Sequence, residues 1–330
     1  MRTSKGLLHG MSLIQSFHYD QHLAQHIRRC TAEEEYDVVQ IEFPFLTHYL
    51  RAMSPRCRAK TVLSMHNVET IRFARELQFS PWNGRRLMLR LNGLLFGAWE
   101  KKALRCFDGI LTTSEPDCAW TTHHAPAARV QLVPNGVDVD YFQAVRTPKK
   151  SLSLVFTGLM SYPPNVDAVM WFCDDIFPLL QRRLPNLRFT IVGSNPHPKV
   201  QALAHREGVM VTGQVPDIRP YLADASIFVV PLRSGGGTRL KILQAMAMEC
   251  PVVSTTVGAE GLEIAPGHNI LLADDTEQFV QHVCTLLHSP AMADRLAKAG
   301  SQLVKEKYDW RVCLSGIEQL YDTLVGSKVA

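Results

Sequence analysis

The segment Ile227-Phe228-Val229-Val230-Pro231-Leu232-Arg233-Ser234-Gly235-Gly236-Gly237-Thr238-Arg239-Leu240-Lys241-Ile242-Leu243-Gln244-Ala245-Met246-Ala247, with Pro251-Val252-Val253-Ser254-Thr255 after it, decides how the chain is read. Its opening apolar run predicts a buried strand, the three glycines a loop, the stretch from Thr238 to Ala247 a helix, and Val252-Val253 a second buried strand. Strand, glycine-rich loop and helix start in that order suit an anion. The free N–H groups of the first helical turn face the loop, and the helix macrodipole favours negative charge there. Thr238, Lys241 and Gln244 recur at three-residue spacing and share one face of an otherwise apolar helix. That stripe is either a solvated face or the wall of a ligand site. The strand that follows sets the helix beside strand carboxyl ends, where open α/β sheets bind ligands, and so favours a phosphate site.

The same alternation extends outward in both directions. Further strands are expected at Val38–Glu42, Thr61–Ser64, Ile110–Thr112 and Val130–Val133 in the first half. The second half offers Leu154–Phe156, Phe189–Val192, Met210–Val211 and Ile270–Leu272. Helical patterns separate most of them, notably at Asn165–Arg183, Gln278–His288 and Ala291–Lys305. Strands alternating with helices predict an α/β protein whose parallel sheets carry helices on both faces. At 330 residues the chain exceeds what one core usually supports, so two Rossmann-like domains are expected. The break between them falls in Asp140–Ser151, where Arg146-Thr147-Pro148-Lys149-Lys150 is polar and without periodicity. The expected organisation is an amino-terminal domain over 1–145 and a carboxyl-terminal domain over 151–308. A final amphipathic helix within 309–330 is expected to pack back across the boundary.

Composition describes an ordinary globular chain, 46% apolar and 20% charged. No apolar run is long enough to span a bilayer, and the start lacks the apolar core of a signal peptide, so a cytoplasmic protein is expected. The eight cysteines are scattered without a C-x-x-C pair, which favours reduced thiols over a disulfide framework or a zinc site. A net charge of +4 is too small to suggest nucleic acid as a partner. Its basic excess gathers in the first half, around Arg85, Arg86, Arg90, Lys101, Lys102 and Arg105, on a helix that also carries Leu87, Leu94 and Leu95. A basic amphipathic helix can rest on an anionic membrane surface; a core-facing helix with basic ends is the other reading.

Several motifs, in order, carry a family resemblance: Val133-Pro134-Asn135-Gly136-Val137-Asp138; Phe156-Thr157-Gly158 with Pro164-Asn165-Val166-Asp167-Ala168; Ile191-Val192-Gly193; Gly213-Gln214-Val215-Pro216-Asp217; and the glycine-rich helix itself. Together they span about residues 36–326. The chain resembles a retaining GT-B-type glycosyltransferase of the large family called group 1 or family 4, and within it bacterial sugar transferases of capsule, exopolysaccharide or lipopolysaccharide assembly. The resemblance implies two Rossmann-like domains facing across a cleft. It also implies a nucleotide-sugar donor held mainly by the second domain and a glycan or lipid-linked acceptor held by the first, with the anomeric configuration retained.

What such a transfer needs most is stabilisation of the departing diphosphate. Lys241, Arg239 and the N–H groups of Gly236, Gly237 and Thr238 are the implied groups. Gly158, Gly193, Val215, Gly235 and Gln244 are the further donor contacts, and His66, at the end of a predicted strand, is implied to hydrogen-bond the donor sugar. Lys241 and His66 are the catalytic candidates. No metal and no cofactor are expected beyond the nucleotide sugar as substrate. Asp138-Val139-Asp140 imitates a metal-binding D-x-D motif, but it follows an Asn-Gly turn beside the linker instead of ending a strand near the phosphate loop.

The chain departs from the family pattern in three places. Gly236 and Gln244 stand where the family carries two glutamates. The first half opens on Tyr36–Phe43, where relatives are already several elements into the fold, so the first domain is expected to lack its initial strand and glycine-rich loop. A non-catalytic or degenerate nucleotide-sugar-binding relative is therefore the alternative function. A GT-B-type epimerase would need cleft carboxylates that the sequence does not display.

Overall fold

The computed structural model describes residues 17–79, 84–143, 145, 152–235 and 239–326. Backbone contacts divide the chain into two units, residues 1–134 with 314–330 and residues 135–313.

In the first unit, β1 (Val38–Glu42), β2 (Lys60–Met65), β3 (Gly109–Thr112) and β4 (Arg129–Leu132) form a parallel sheet in the order β1-β2-β3-β4. All four β3 residues are buried, as an apolar strand covered on both faces should be. Leu63, Met65, Leu104, Phe107 and Ile110 form the core beneath it. The carboxyl-terminal helix Trp310–Val325 lies close over this sheet because small residues face it. A Cβ on Gly109 would stand 2.8 Å from Leu324 Cδ1, and one on Gly316 would stand 3.2 Å from Val133 Cγ2. Helix Glu69–Phe79 starts against a side chain of a neighbour: Glu100, on helix Gly84–Leu104, accepts from the N–H groups of Glu69 and Thr70, each at 3.0 Å.

The second unit holds β5 (Ser153–Thr157), β6 (Arg188–Val192), β7 (Val209–Gly213), β8 (Ile227–Val230), β9 (Val252–Ser254) and β10 (Leu271–Leu272). The order is β10-β9-β8-β5-β6-β7, parallel throughout. The chain moves outward from β5 to β7, then returns to the other side of β5 with β8. This doubly wound order has its reversal point between β5 and β8. Fully buried Phe156, Phe172, Phe189 and Phe228 dominate the core, with Phe172 and Phe189 at 4.6 Å between ring centroids.

Every strand expected from the sequence is present. Two helices differ from expectation. The span Asn165–Arg183 is three pieces, helix Pro163–Trp171, a π turn Phe172–Ile176 and helix Phe177–Arg183. Pro178 has no N–H for the ladder, and the widened turn absorbs the interruption. The helix predicted from Thr238 begins at Leu240, because Arg239 is non-helical with φ −84 and ψ 67.

Candidate functional site

At the reversal point the strand ends of the second unit meet through glycine. A Cβ on Gly193 would fall 1.7 Å from the Gly158 carbonyl oxygen, so no other residue fits there without moving a strand end. At Gly158 a Cβ would stand 2.7 Å from Asn165 Nδ2 and 3.0 Å from Lys241 Nζ. The bare backbone at 158 is what lets both side chains lie against it. Asn165, buried in the first turn of helix Pro163–Trp171, donates from Nδ2 to the Leu159 carbonyl at 2.9 Å. Its Oδ1 accepts from Lys241 Nζ at 2.9 Å.

Lys241 is the second residue of helix Leu240–Ala247, with Nζ 4.1 Å from the centroid of the Phe156 ring. Burial, and then the neighbouring charge of Arg239, push its ammonium down to about 7. Arg239 is itself buried and donates from Nη2 to the Val257 carbonyl at 3.3 Å. Its guanidinium lies where a side chain at Gly235 would go, 3.1 Å from that Cβ position, and Gly235 has φ +126, a backbone only glycine adopts freely. Gly236, Gly237 and Thr238, expected to supply N–H groups, lie outside the described residues.

Gly158 and Lys241 open on a cavity of about 450 Å³, whose described lining does not include Asn165, Gly235 or Arg239. Gly158, Gly193, Val215, Lys241 and Gln244 all line it, with Gln214 and Ile218 extending the wall beyond β7. Five positions singled out from the sequence, separated by as many as 86 residues, thus share one space. The volume lies within the usual range for small-molecule sites, and Lys241 is the cationic side chain among its described lining residues.

His66 belongs to the first unit, at the carboxyl end of β2. Its Nε2 is 3.1 Å from Glu42 Oε2, and its ring packs on Phe43 with centroids 4.5 Å apart. Burial pushes the Glu42 carboxyl up, but hydrogen bonds from Gln40, Ser64 and His66 outweigh it and hold the group below its ordinary value. Asp138 and Asp140 are engaged locally. Asp138 Oδ1 accepts from the Tyr141 N–H at 2.8 Å, and Asp140 pairs with Arg311 at 3.2 Å.

Two residues of these clusters escaped the reading for function. Asn165 was visible only as part of a family motif, and its signal was a buried amide in a helix start directly after a strand. Glu42 ends β1 as a polar residue on an apolar strand, a pattern equally suited to a solvated strand end.

Two family models match consecutive parts of the chain, that of Glycosyltransferase Family 4 over residues 8–141 and that of group 1 glycosyl transferases over residues 151–289. The chain is 22% identical over 307 residues to a 44.6 kDa protein of the cps region of Klebsiella pneumoniae, covering 88% of this chain and 76% of the other. It is 25% identical over 243 residues to the phosphatidyl-myo-inositol mannosyltransferase of Mycobacterium leprae; this match covers 70% of the chain and 63% of that enzyme, less than two thirds of its length. Among solved structures, sucrose-phosphate synthase from Thermosynechococcus elongatus superposes with a TM-score of 0.69 at 18% identity, over 96% of this chain and 80% of that one. Anabaena HepE in complex with UDP and glucose gives 0.67 at 14% identity, over 92% and 81%. Two parallel α/β sheets of the GT-B kind and family models covering both halves agree: the chain belongs to the group 1 and family 4 glycosyltransferases.

Proposed function

We propose that the protein transfers a sugar from a nucleotide-sugar donor, with retention of configuration and without a metal, to a glycan or lipid-linked acceptor in cell-surface polysaccharide assembly. The observation that carries this reading is the cavity at the reversal point of the second sheet, with Lys241 on its wall. In this reading the donor diphosphate lies against Lys241, whose ammonium regains full charge beside it and stabilises the leaving group. Gly158 and Gly193 give the donor backbone to approach, Val215 and Gln214 bound the far wall, and Gln244 meets a ribose hydroxyl. Arg239 adds a second positive charge behind the loop that begins at Gly235. His66 contributes a hydrogen bond to the donor sugar from the first unit.

The name of the Klebsiella relative supports a capsule-type role, and the complex of HepE with UDP and glucose supports a nucleotide-sugar donor. Metal independence is supported by the engagement of Asp138 with a backbone N–H and of Asp140 with Arg311. One feature favours the alternative of a non-catalytic binder: the amide at Gln244, where the family carries a carboxylate.

Titration calorimetry of the full chain with UDP-glucose, UDP-N-acetylglucosamine and GDP-mannose, in buffer containing EDTA, tests this reading. Binding of one of them, weakened in Lys241→Met, is expected. No binding of any, or binding that requires added magnesium, would overturn it. Product formed by transfer to a saccharide acceptor separates the enzyme from the binder.

No described helix is long and apolar enough to cross a membrane. The reading includes peripheral contact with the inner membrane surface through helix Gly84–Leu104, which exposes Leu87, Leu94 and Leu95. Arg90, Lys101 and Lys102 are exposed along the same stripe. Cosedimentation with phosphatidylglycerol vesicles, lost in Leu94→Glu, is the expected outcome, and equal binding by the variant would remove the helix from the reading.

A further inference from the structure

A directed chain of hydrogen bonds runs through the first unit from the carboxyl-terminal helix to His66. Tyr321 donates its hydroxyl to Gln40 Oε1, Gln40 Nε2 donates to Glu42 Oε1 at 2.5 Å, and Glu42 Oε2 faces His66 Nε2 at 3.1 Å. Each link has only one sense. An ionised carboxylate accepts and never donates, so His66 must donate from Nε2. The Gln40 amide is then fixed as well, its NH₂ toward Glu42 and its carbonyl toward the tyrosine hydroxyl.

The consequence falls on the far side of the ring. A neutral imidazole carries one proton, and with that proton on Nε2 the other nitrogen, Nδ1, is an acceptor. No described residue hydrogen-bonds Nδ1, and the side chain is 39% exposed. The ring is also held in place on its face and at its backbone. Phe43, whose backbone sits at φ 69, stacks on Phe45 and packs against the imidazole, while Thr113 Oγ1 donates to the His66 carbonyl at 3.1 Å. A left-handed backbone at a phenylalanine costs about 1–3 kcal/mol and persists only where the surroundings impose it. The surroundings here are this stack and the 3.0 Å bond from the Phe43 N–H to the Ser64 carbonyl.

We infer that Glu42, backed by Gln40 and Tyr321, is the positioning residue for His66, fixing its proton on Nε2 so that Nδ1 accepts a hydrogen bond from a hydroxyl of the donor sugar. This rests on the proposal that His66 meets the donor. It adds the direction of that bond, and it gives the carboxyl-terminal helix a part in the site through one phenol oxygen.

The test uses the ¹⁵N-labelled 330-residue chain, with the His66 ring signals identified by their loss in His66→Ala. In the wild type the Nε2–H proton is expected to be visible, held from solvent exchange by the carboxylate. In Glu42→Gln, where one amide cannot accept from both neighbours, it is expected to exchange away. Tyr321→Phe, one oxygen smaller, should produce the same change in weaker form and guards against a folding defect at position 42. With UDP-glucose and GDP-mannose as donor probes, Glu42→Gln should lower kcat about tenfold and leave KM within about twofold, the order of effect seen when the group orienting a histidine is lost. His66 ring signals unchanged in both variants would overturn the positioning role. Unchanged kcat in His66→Ala, with the Nε2–H signal intact in the wild type, would instead overturn the reading that His66 meets the sugar.

Discussion

Each unit takes a charged side chain out of water, and the two do so in opposite ways. Glu100 in the first unit is 0% exposed. It accepts from the N–H groups of Glu69 and Thr70 at 3.0 Å and from the Thr70 hydroxyl at 2.5 Å. It sits at a helix N-terminus, where the macrodipole favours an anion. Burial pushes its pKa up while those three bonds oppose the rise. Lys241 in the second unit has three protons to donate, and among the described residues its one hydrogen bond goes to Asn165. Its other neighbour is the face of Phe156, and its pKa is down at about 7. A buried charge whose bonding capacity is filled holds structure together. One left under-satisfied on a cavity wall is costly in the empty protein and is repaid by a ligand of opposite charge.

The largest expected effect that could break this contrast is at Glu100. Glu100→Ala removes a helix cap and a charge-assisted hydrogen-bond set together, and should cost about 2–4 kcal/mol of unfolding free energy in denaturant titration. Nucleotide affinity of the variant that remains folded should be unchanged. A loss under about 1 kcal/mol would mean that water or a rearranged Thr70 replaces the carboxylate, and the first half of the contrast would fail.

At Lys241 the sign should reverse. Lys241→Met keeps the volume and removes a poorly compensated charge, so stability should hold within about 1 kcal/mol or rise. Affinity for a nucleoside diphosphate should fall by about 1.5–3 kcal/mol, the range for charge-assisted hydrogen bonds. The pH dependence follows from the depressed pKa, about 7 against an ordinary 10.5. Between those values the unfolded chain binds the proton and the folded chain does not. This group's cost is therefore fully present below about pH 7 and is relieved as pH rises toward 10.5. Ligand binding runs the other way. A diphosphate beside Nζ favours the charged form, so UDP should bind with proton uptake at pH 8 and more weakly as pH climbs above about 7. Calorimetry in two buffers of different ionisation enthalpy measures that uptake. Equal uptake in Lys241→Met would assign it to another group.

How much of this was legible in the sequence depends on which physical cause placed each residue. Runs such as Ile227–Val230 and Ile110–Leu111 are buried on both faces, and their apolar character alone located them. Glycines at 158 and 193 were noticed only through family motifs. What makes them necessary is the approach of one strand-end loop to another, and no local pattern encodes a 1.7 Å clash. Lys241 was found because a cation on an apolar helix beside a glycine loop is locally anomalous. Its partner Asn165 lies 76 positions away, joined only through the sheet's reversal point. The link from Tyr321 to Gln40 spans 281 positions, and a tyrosine on a terminal amphipathic helix looks no different from any other core-facing ring. The non-helical Arg239 has no local signal: Thr and Arg are acceptable helix residues, and the guanidinium's bond to the Val257 carbonyl spans 18 positions.

The smallest expected effect sharpens the second half of the contrast. Gln244 lines the cavity one turn beyond Lys241, on the same face of helix Leu240–Ala247. Its amide can offer one good acceptor to a pair of ribose hydroxyls, whereas a carboxylate can accept from both with charge assistance. Gln244→Glu should therefore tighten binding of UDP by about 0.5–1.5 kcal/mol, a gain of two- to tenfold. The same carboxylate, three residues from Lys241, would favour the charged ammonium, so proton uptake on binding should shrink as affinity rises. The 2′-deoxy analogue is the decisive control. It lacks one of the two donors, and most of the gain should vanish with it. If Gln244→Glu strengthened ribose and deoxyribose nucleotides equally, the residue would be acting through Lys241 alone. If it weakened both, repulsion of the diphosphate would dominate, and the ribose would have to lie elsewhere along the wall formed by Gln214 and Val215.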